Sequence, residues 1–158
     1  MRIVDGKTER KVCSIPPNFY RDPRVATAEI DRIFRTTWIG VGRADQVADA
    51  GDFAALDIAG QAIILIRGSD SSLRAFANTC RHRGARLLDG KGNCRTIRCP
   101  FHAWRYKLDG RLASAPHMEE VEGFERSDYG LIEYRVAERS GFAFICLNRD
   151  AGPIDLHL

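Results

Sequence analysis

Four residues near the middle of the chain limit its possible folds more than any other feature: Cys80, His82, Cys99 and His102. They form Cys-x-His and Cys-x-x-His, separated by the sixteen residues Arg83 to Arg98. For all four to serve one centre, two short loops must be brought side by side and held rigidly. A sheet does this readily, because neighbouring strand ends carry neighbouring loops. With one thiol and one imidazole per loop, each loop can reach both irons of a binuclear iron–sulfur cluster. Such a cluster takes two thiolates on one iron and two imidazoles on the other. Imidazoles in place of thiolates reduce its negative charge and raise its reduction potential, which suits one-electron transfer rather than bond chemistry. The other reading of two Cys and two His is a closed tetrahedral zinc site. Zinc fingers, however, usually pair Cys with Cys and His with His in each half, unlike the split seen here.

The rest of the composition narrows the context. The 158 residues suit one domain with a sizeable core, at 44% hydrophobic and 28% charged. No stretch approaches the apolar length of a membrane span, and Met1 to Lys7 lack the apolar centre of a signal peptide, so a cytoplasmic location is expected. The net charge of +3 is small for a nucleic-acid binder, and no nucleic-acid partner is expected. Basic residues do gather around the metal motifs: Arg81, Arg83, Arg86, Lys91, Arg95, Arg98 and Arg105. They form either a solvated rim or a cationic collar for an acidic electron donor. Five cysteines and no signal peptide argue against a disulfide framework. Cys146 reads as a small core residue, and Cys13 and Cys94 as bystanders, Cys94 being the nearest false ligand.

Along the chain, residues 1 to 19 read as an extended arm containing Pro16-Pro17. Asp22-Pro23 marks a helix start, and the segment from Arg24 to Thr36 places Ala26, Ile30, Ile33, Phe34 and Thr37 on one face. From Trp38 the pattern becomes short strands. Trp38 to Gly42 is one. Phe53 to Ile58 and Gln61 to Arg67 flank an Ala59-Gly60 turn, and Leu73 to Ala77 follows. Asp109-Gly110 signals a hairpin, and Leu131 to Ala137 and Phe142 to Asn148 flank Ser140-Gly141. The expected fold is mainly β: an antiparallel sandwich or small barrel with a short N-terminal helix and two metal-binding loops. The expected boundaries are an arm and helix over 1–37, a metal domain over 38–150 and the start of a linker over 151–158.

The segments Cys80-Arg81-His82-Arg83-Gly84-Ala85 and Cys99-Pro100-Phe101-His102-Ala103-Trp104-Arg105-Tyr106 closely resemble the Rieske [2Fe–2S] domain of ring-hydroxylating oxygenase α subunits. Tyr20, Asp22-Pro23, Ile33-Phe34, Asn78, Asp109-Gly110 and Ala115-Pro116 extend the likeness over roughly residues 18 to 150. The resemblance implies that Cys80, His82, Cys99 and His102 are the cluster ligands. Around them, Trp104 is expected to shield the cluster, Arg83 to orient a loop carbonyl or shape the docking rim, Gly84 to supply a special φ and Pro100 to stiffen the second loop. High-potential Rieske proteins carry an additional cysteine in each loop and a serine near a cluster sulfur. Ala85, Phe101 and Trp104 stand at those positions here, which implies a potential in the lower part of a range of roughly −150 to +300 mV. The outer imidazole nitrogens are expected near the surface, with redox and protonation coupled.

The same resemblance implies a catalytic domain in which two histidines and a carboxylate hold a mononuclear Fe(II). Only His117 and His157 remain in this chain, and both read as surface residues, so no catalytic residue is expected here. The expectation is the electron-relay half of an oxygenase, a truncated form, or a small protein that keeps this half alone. Its partners would be a reductase or ferredoxin and a catalytic domain of the same or a neighbouring subunit, in a homotrimer. A free-standing Rieske ferredoxin is the alternative, and a structural zinc module a third.

Overall fold

The computed structural model describes residues 14–118 and 120–156, together with the backbone of 3–4 and 7–8. Cys13 and His157 lie outside the described residues, as does most of the expected arm. Within that arm, β1 (Ile3–Val4) and β2 (Lys7–Thr8) pair antiparallel. Pro17–Tyr20 then forms a 3₁₀ turn. Helix α1 (Pro23–Glu29) starts where the sequence signals it: Asp22 accepts a hydrogen bond from the Arg24 N–H at 2.9 Å, and Pro23 occupies the first turn, where no N–H is needed.

The single α-helix expected through Thr36 is not formed. From Ile30 to Phe34 the chain widens into a π turn, and the Arg35 N–H reaches back five residues to the Ile30 carbonyl at 3.0 Å. Neither α1 nor the π turn buries a residue, so no packed face holds the tighter register. The Thr36 and Thr37 hydroxyls also draw on the Arg32 and Ile33 carbonyls. Ile33 and Phe34 remain exposed.

The strands that follow are β3 (Trp38–Arg43), β4 (Asp52–Ile58), β5 (Gln61–Arg67), β6 (Leu73–Ala77), β7 (Lys91–Asn93), β8 (Ile97–Arg98), β9 (Arg105–Tyr106), β10 (Leu112–Ser114), β11 (Glu133–Arg139) and β12 (Phe142–Cys146). Seven of them form one antiparallel sheet in the order β3-β12-β11-β6-β5-β4-β7, and β10-β9-β8 form a second. Two tight hairpins set the large sheet's register. Ala59 and Gly60 have φ of 52° and 76°, and Ser140 and Gly141 have 49° and 78°. Positive φ at both central residues matches the right-handed twist of the flanking strands.

Strand β5 explains how the sheet is used. Ile63, Ile64, Leu65 and Ile66 are all buried, but alternation sends them to different cores. Ile63 and Leu65 join Ala54, Ala75, Ala143 and Ile145 in one core. Because β5 and β12 are not neighbours in the sheet, this contact means that the sheet curls over itself. A register shift between Ala143 and Phe144 accompanies the bend. Ile64 and Ile66 face the second core, where they meet Phe76 and the inner residues of the small sheet, Ile97, Tyr106 and Leu112. Cys80, Cys99 and Trp104 belong to this second core. The fold is thus mainly β and antiparallel, with one short helix.

Ala151 and Ile154 are buried and Trp38 Nε1 donates to the Gly152 carbonyl at 3.0 Å, so the residues after β12 pack back on the domain. Among the described residues no helix is long and apolar enough to cross a membrane.

Gly110 tests the packing of the small sheet on the large one. Its φ is +84° and a Cβ there would sit 2.6 Å from Phe76 Cε1. Gly60 has a similar φ of +76° with nothing within 4 Å of an added Cβ. Urea unfolding of Gly110→Ala is expected to lose about 3 kcal/mol, against about 1 kcal/mol for Gly60→Ala, the difference being the clash with Phe76. Equal losses would show that the turn conformation alone matters.

Candidate metal centre

The first loop leaves β6 and is closed by one side chain. Asn78 is 1% exposed, the only buried polar residue described. Its Oδ1 accepts the Leu87 and Leu88 N–H groups, both at 3.0 Å, and its Nδ2 donates to the Leu88 carbonyl at 2.7 Å. Entrance and exit of the loop are therefore clamped together. Inside the clamp the Cys80 N–H donates to the Ala85 carbonyl and the Gly84 N–H to the Cys80 carbonyl. Gly84 has φ +75°, as a turn of this hand requires.

The second loop joins β8 to β9. Cys99 donates its N–H to the Trp104 carbonyl at 2.8 Å, which closes a hairpin with His102 near its end. Ala103 takes φ 58°, a conformation that favours glycine and stores strain in the loop.

The two loops bring the four expected ligands together in sorted pairs. Cys80 and Cys99 are each 2% exposed and lie against one another in the core. His82 and His102 meet nearer the surface, ring centroids 4.8 Å apart and nearly edge to face. Among the described residues, no three His, Cys, Asp or Glu side chains converge on one point as a mononuclear ion would demand. The donors offer instead a thiol end and an imidazole end. His82 Nδ1 is buried and has no hydrogen-bond partner. A nitrogen stripped of water and left unpaired carries a free-energy penalty that a bound metal would remove. The donor set and this orphaned atom fit a Rieske-type cluster.

Electrostatics agree with that use. Burial lowers the His82 imidazole pKa below its usual range, and the Arg83 and His102 charges act the same way. The ring is thereby kept in the neutral form that binds metals. Burial pushes the Cys80 thiol upward, opposed by a hydrogen bond from Tyr106. A metal would reverse that balance by binding the thiolate.

Tyr106 is the residue that sequence reasoning missed. Its ring is fully buried, its hydroxyl accepts the Arg81 N–H at 3.0 Å, and it lies 3.3 Å from Cys80 Sγ. Burial raises its pKa, so the phenol stays protonated and able to donate. The available signal was its spacing: two residues beyond Trp104, it shares that residue's inward face of the strand, and a buried tyrosine needs a partner for its hydroxyl.

The surrounding residues singled out from sequence divide. Trp104, 1% exposed, stacks on His82 with centroids 4.9 Å apart and planes 9° apart. Phe124 and Tyr129 pack edge-on against the Trp104 ring, with centroids 5.8 Å and 5.7 Å away. Trp104 Nε1, like His82 Nδ1, has no partner. Arg83 and Pro100 are exposed, and Arg83 makes no ion pair among the described residues. Cys94 is half-buried at the edge of the same core, and Cys146 is buried in β12. His117 is exposed.

Residues 37–125 match the family described as the Rieske [2Fe-2S] domain. The chain is 40% identical over 143 residues to the carnitine monooxygenase oxygenase subunit of Escherichia coli, covering 90% of this chain and 38% of that one. It is 33% identical to the biphenyl 2,3-dioxygenase subunit alpha of Rhodococcus jostii, covering 99% of this chain and 34% of that one. Among solved structures, the quaternary ammonium Rieske monooxygenase CntA in complex with L-carnitine superposes with a TM-score of 0.85 at 39% identity, over 89% of this chain and 40% of that one. Naphthalene 1,2-dioxygenase from Rhodococcus sp. superposes with a TM-score of 0.85 at 27% identity, over 90% and 33%. The chain thus spans about two fifths or less of the length of these relatives.

The Asn78 clamp yields a direct expectation. Asn78→Ala strands the buried Leu87 N–H and the half-buried Leu88 N–H and carbonyl, and is expected to lose about 3 kcal/mol in urea unfolding together with much of any bound iron. Full stability with full iron content would show that the clamp is dispensable.

Proposed function

Because the chain belongs to the Rieske [2Fe-2S] domain family, we propose that Cys80 and Cys99 hold one iron of such a cluster, that His82 and His102 hold the other, and that the task of the site is one-electron transfer. The observation that carries the ligand assignment is the sorting of the donors into a buried thiol pair and a more exposed imidazole pair, with His82 Nδ1 unpartnered. When bound, the cluster supplies a centre that takes up and releases one electron reversibly.

The chain's own residues set the conditions. Tyr106 donates to Cys80 Sγ and so favours the more negative, reduced state. Trp104 covers one face of His82 and excludes water from it. His102 is exposed, which makes its edge the shortest path between the site and a partner. Arg83 adds positive charge beside His82, and Pro100 stiffens the second loop. Ala85 and Phe101 leave no disulfide between the loops, and Trp104 offers no hydroxyl. The potential is accordingly placed in the lower part of the Rieske range, with Tyr106 holding it above the bottom.

In the whole protein this would be the electron-relay domain of an oxygenase subunit. Similarity to the oxygenase subunits of carnitine monooxygenase and glycine betaine monooxygenase, at 40% and 38% identity, supports that reading over a free-standing ferredoxin. We take 1–37 as an arm and helix and 38–150 as the metal domain; the turn at Pro17–Tyr20 and helix α1, which precede the strands, support the same reading. Electrons would come from a reductase or ferredoxin. They would pass to a mononuclear Fe(II) held by two histidines and a carboxylate in a catalytic domain, reached through 151–158 or supplied by a neighbour in a homotrimer. A cytoplasmic setting keeps the thiols reduced for cluster assembly.

The test is absorption and EPR before and after dithionite, with iron, sulfide and zinc analysis on the same sample. Two irons, two sulfides and a rhombic signal only after reduction are expected. A colourless protein with one zinc overturns the proposal. His82→Cys is expected to keep a cluster while driving its potential down, and Tyr106→Phe to lower the potential by a smaller step without changing the ligands. An unchanged potential in His82→Cys removes His82 from the ligand set.

A further inference from the structure

The small sheet has two unlike faces. Its inner face buries Ile97 on β8, Tyr106 on β9 and Leu112 on β10. Alternation then turns Arg98, Arg105 and Lys107 outward, and all three are exposed. Arg98 and Arg105 stand opposite one another in the β8–β9 register. Like charges directly opposed on an antiparallel pair repel and destabilise it.

Some arginines elsewhere are ion-paired, among them Arg43 with Asp45, Arg74 with Asp70 and Arg139 with Asp155; what sets Arg98 and Arg105 apart is that they face one another across a strand pair with no carboxylate beside them among the described residues. Arg98, Arg105 and Lys107 have no carboxylate within ion-pair distance among the described residues. Beyond Lys107 the surface is concave, about 430 Å³, and is lined also by Arg95, Arg74 and Arg111. The two carboxylates there are already engaged, Asp70 by two nitrogens of Arg74 and Asp109 by two nitrogens of Arg111. An uncompensated conflict gathered on one face departs from the local consistency that folding favours, and such departures mark surfaces completed by a partner.

We infer that the outer face of the β8–β9–β10 sheet is the docking surface for an acidic electron-donor protein, whose carboxylates supply the counter-charges for Arg98, Arg105 and Lys107. The inference rests on the electron-relay reading above. Position selects an electron donor among acidic partners. Arg98 directly precedes Cys99 and Arg105 directly follows Trp104, so the arginine pair forms the base of the loop that carries Cys99 and His102. Phe101 in the same loop is 76% exposed and adds an apolar contact. On docking, one electron leaves the donor's reduced iron–sulfur centre, which is oxidised, and the oxidised cluster of this chain is reduced by one electron. No bond is formed or broken.

The test uses the whole 158-residue chain, its cluster confirmed by EPR, and stopped-flow reduction by a reduced plant-type [2Fe–2S] ferredoxin as the acidic probe. The double variant Arg98→Gln with Arg105→Gln is expected to slow that reduction about tenfold at low ionic strength, with the difference vanishing at high salt. Reduction by methyl viologen, which carries no carboxylate, is expected to stay within about twofold of the unaltered chain. Thermal stability is expected to be equal or higher, because the repulsion is relieved. Arg24→Gln, on α1, is expected to leave both rates unchanged. Equal ferredoxin rates in a cluster-loaded double variant overturn the docking surface and leave the electron-relay reading intact. Arginine-dependent binding of a short DNA duplex with unaltered ferredoxin kinetics reassigns the face to phosphate and also overturns it. Absence of the EPR signal overturns the electron-relay reading and this inference together.

Discussion

The Tyr106 hydroxyl holds the site together. One phenolic oxygen on the second loop's return strand receives the Arg81 N–H and touches Cys80 Sγ, both on the first loop. Two loops separated by sixteen residues thus share a single buried hydrogen-bonded atom. The Asn78 clamp fixes the shape of the first loop, and the Cys99–Trp104 hairpin fixes that of the second. Tyr106 sets the distance between them. Because its ring is also part of the core between the two sheets, any shift of the small sheet moves the relative position of the four donors. The precision of the site is inherited from packing, as a rigid support for a cofactor requires.

Burial is graded across the site. The thiols lie inside with Trp104 and Tyr106, while the imidazoles sit outward. On the proposed assignment, thiolates in a dry core would hold a metal away from competing water, and an exposed imidazole would give a partner close approach. The stack of Trp104 on His82 separates these two environments. The orphaned nitrogens of both rings are the clearest sign that the arrangement serves something beyond the polypeptide itself.

Charge is handled differently on the two sides of the small sheet. The cationic collar expected from sequence is only partly free: Arg86 is paired with Asp89, and Lys91 donates to Gln46. Of the collar arginines without an ion pair, Arg98 and Arg105 lie where the strands leave for the second ligand loop. A domain whose stability comes from two well-packed cores can carry such a repulsive pair, because exposed charge interactions are weak beside burial.

Much of the fold was legible in the sequence because its signals are local. Turn residues with positive φ marked the hairpins at 59–60 and 140–141, and short apolar runs between turn signals located β4, β5 and β6 almost to the residue. Strands β7 and β8 escaped notice because they are short and owe their existence to pairing with distant partners. The helix at 23–36 was misjudged in register because none of its residues in α1 or the π turn is buried to hold an α geometry. At the site, the candidate ligands Cys80, His82, Cys99 and His102 were legible from residue chemistry and spacing, and the structure brings them together in two pairs. What only the tertiary structure decided is which atoms meet: the Tyr106 hydroxyl with Cys80, Trp104 with His82, and Arg98 with Arg105. Those contacts join residues through sheet register and core packing, which arise from the simultaneous fit of many side chains and leave no mark in any short stretch of sequence.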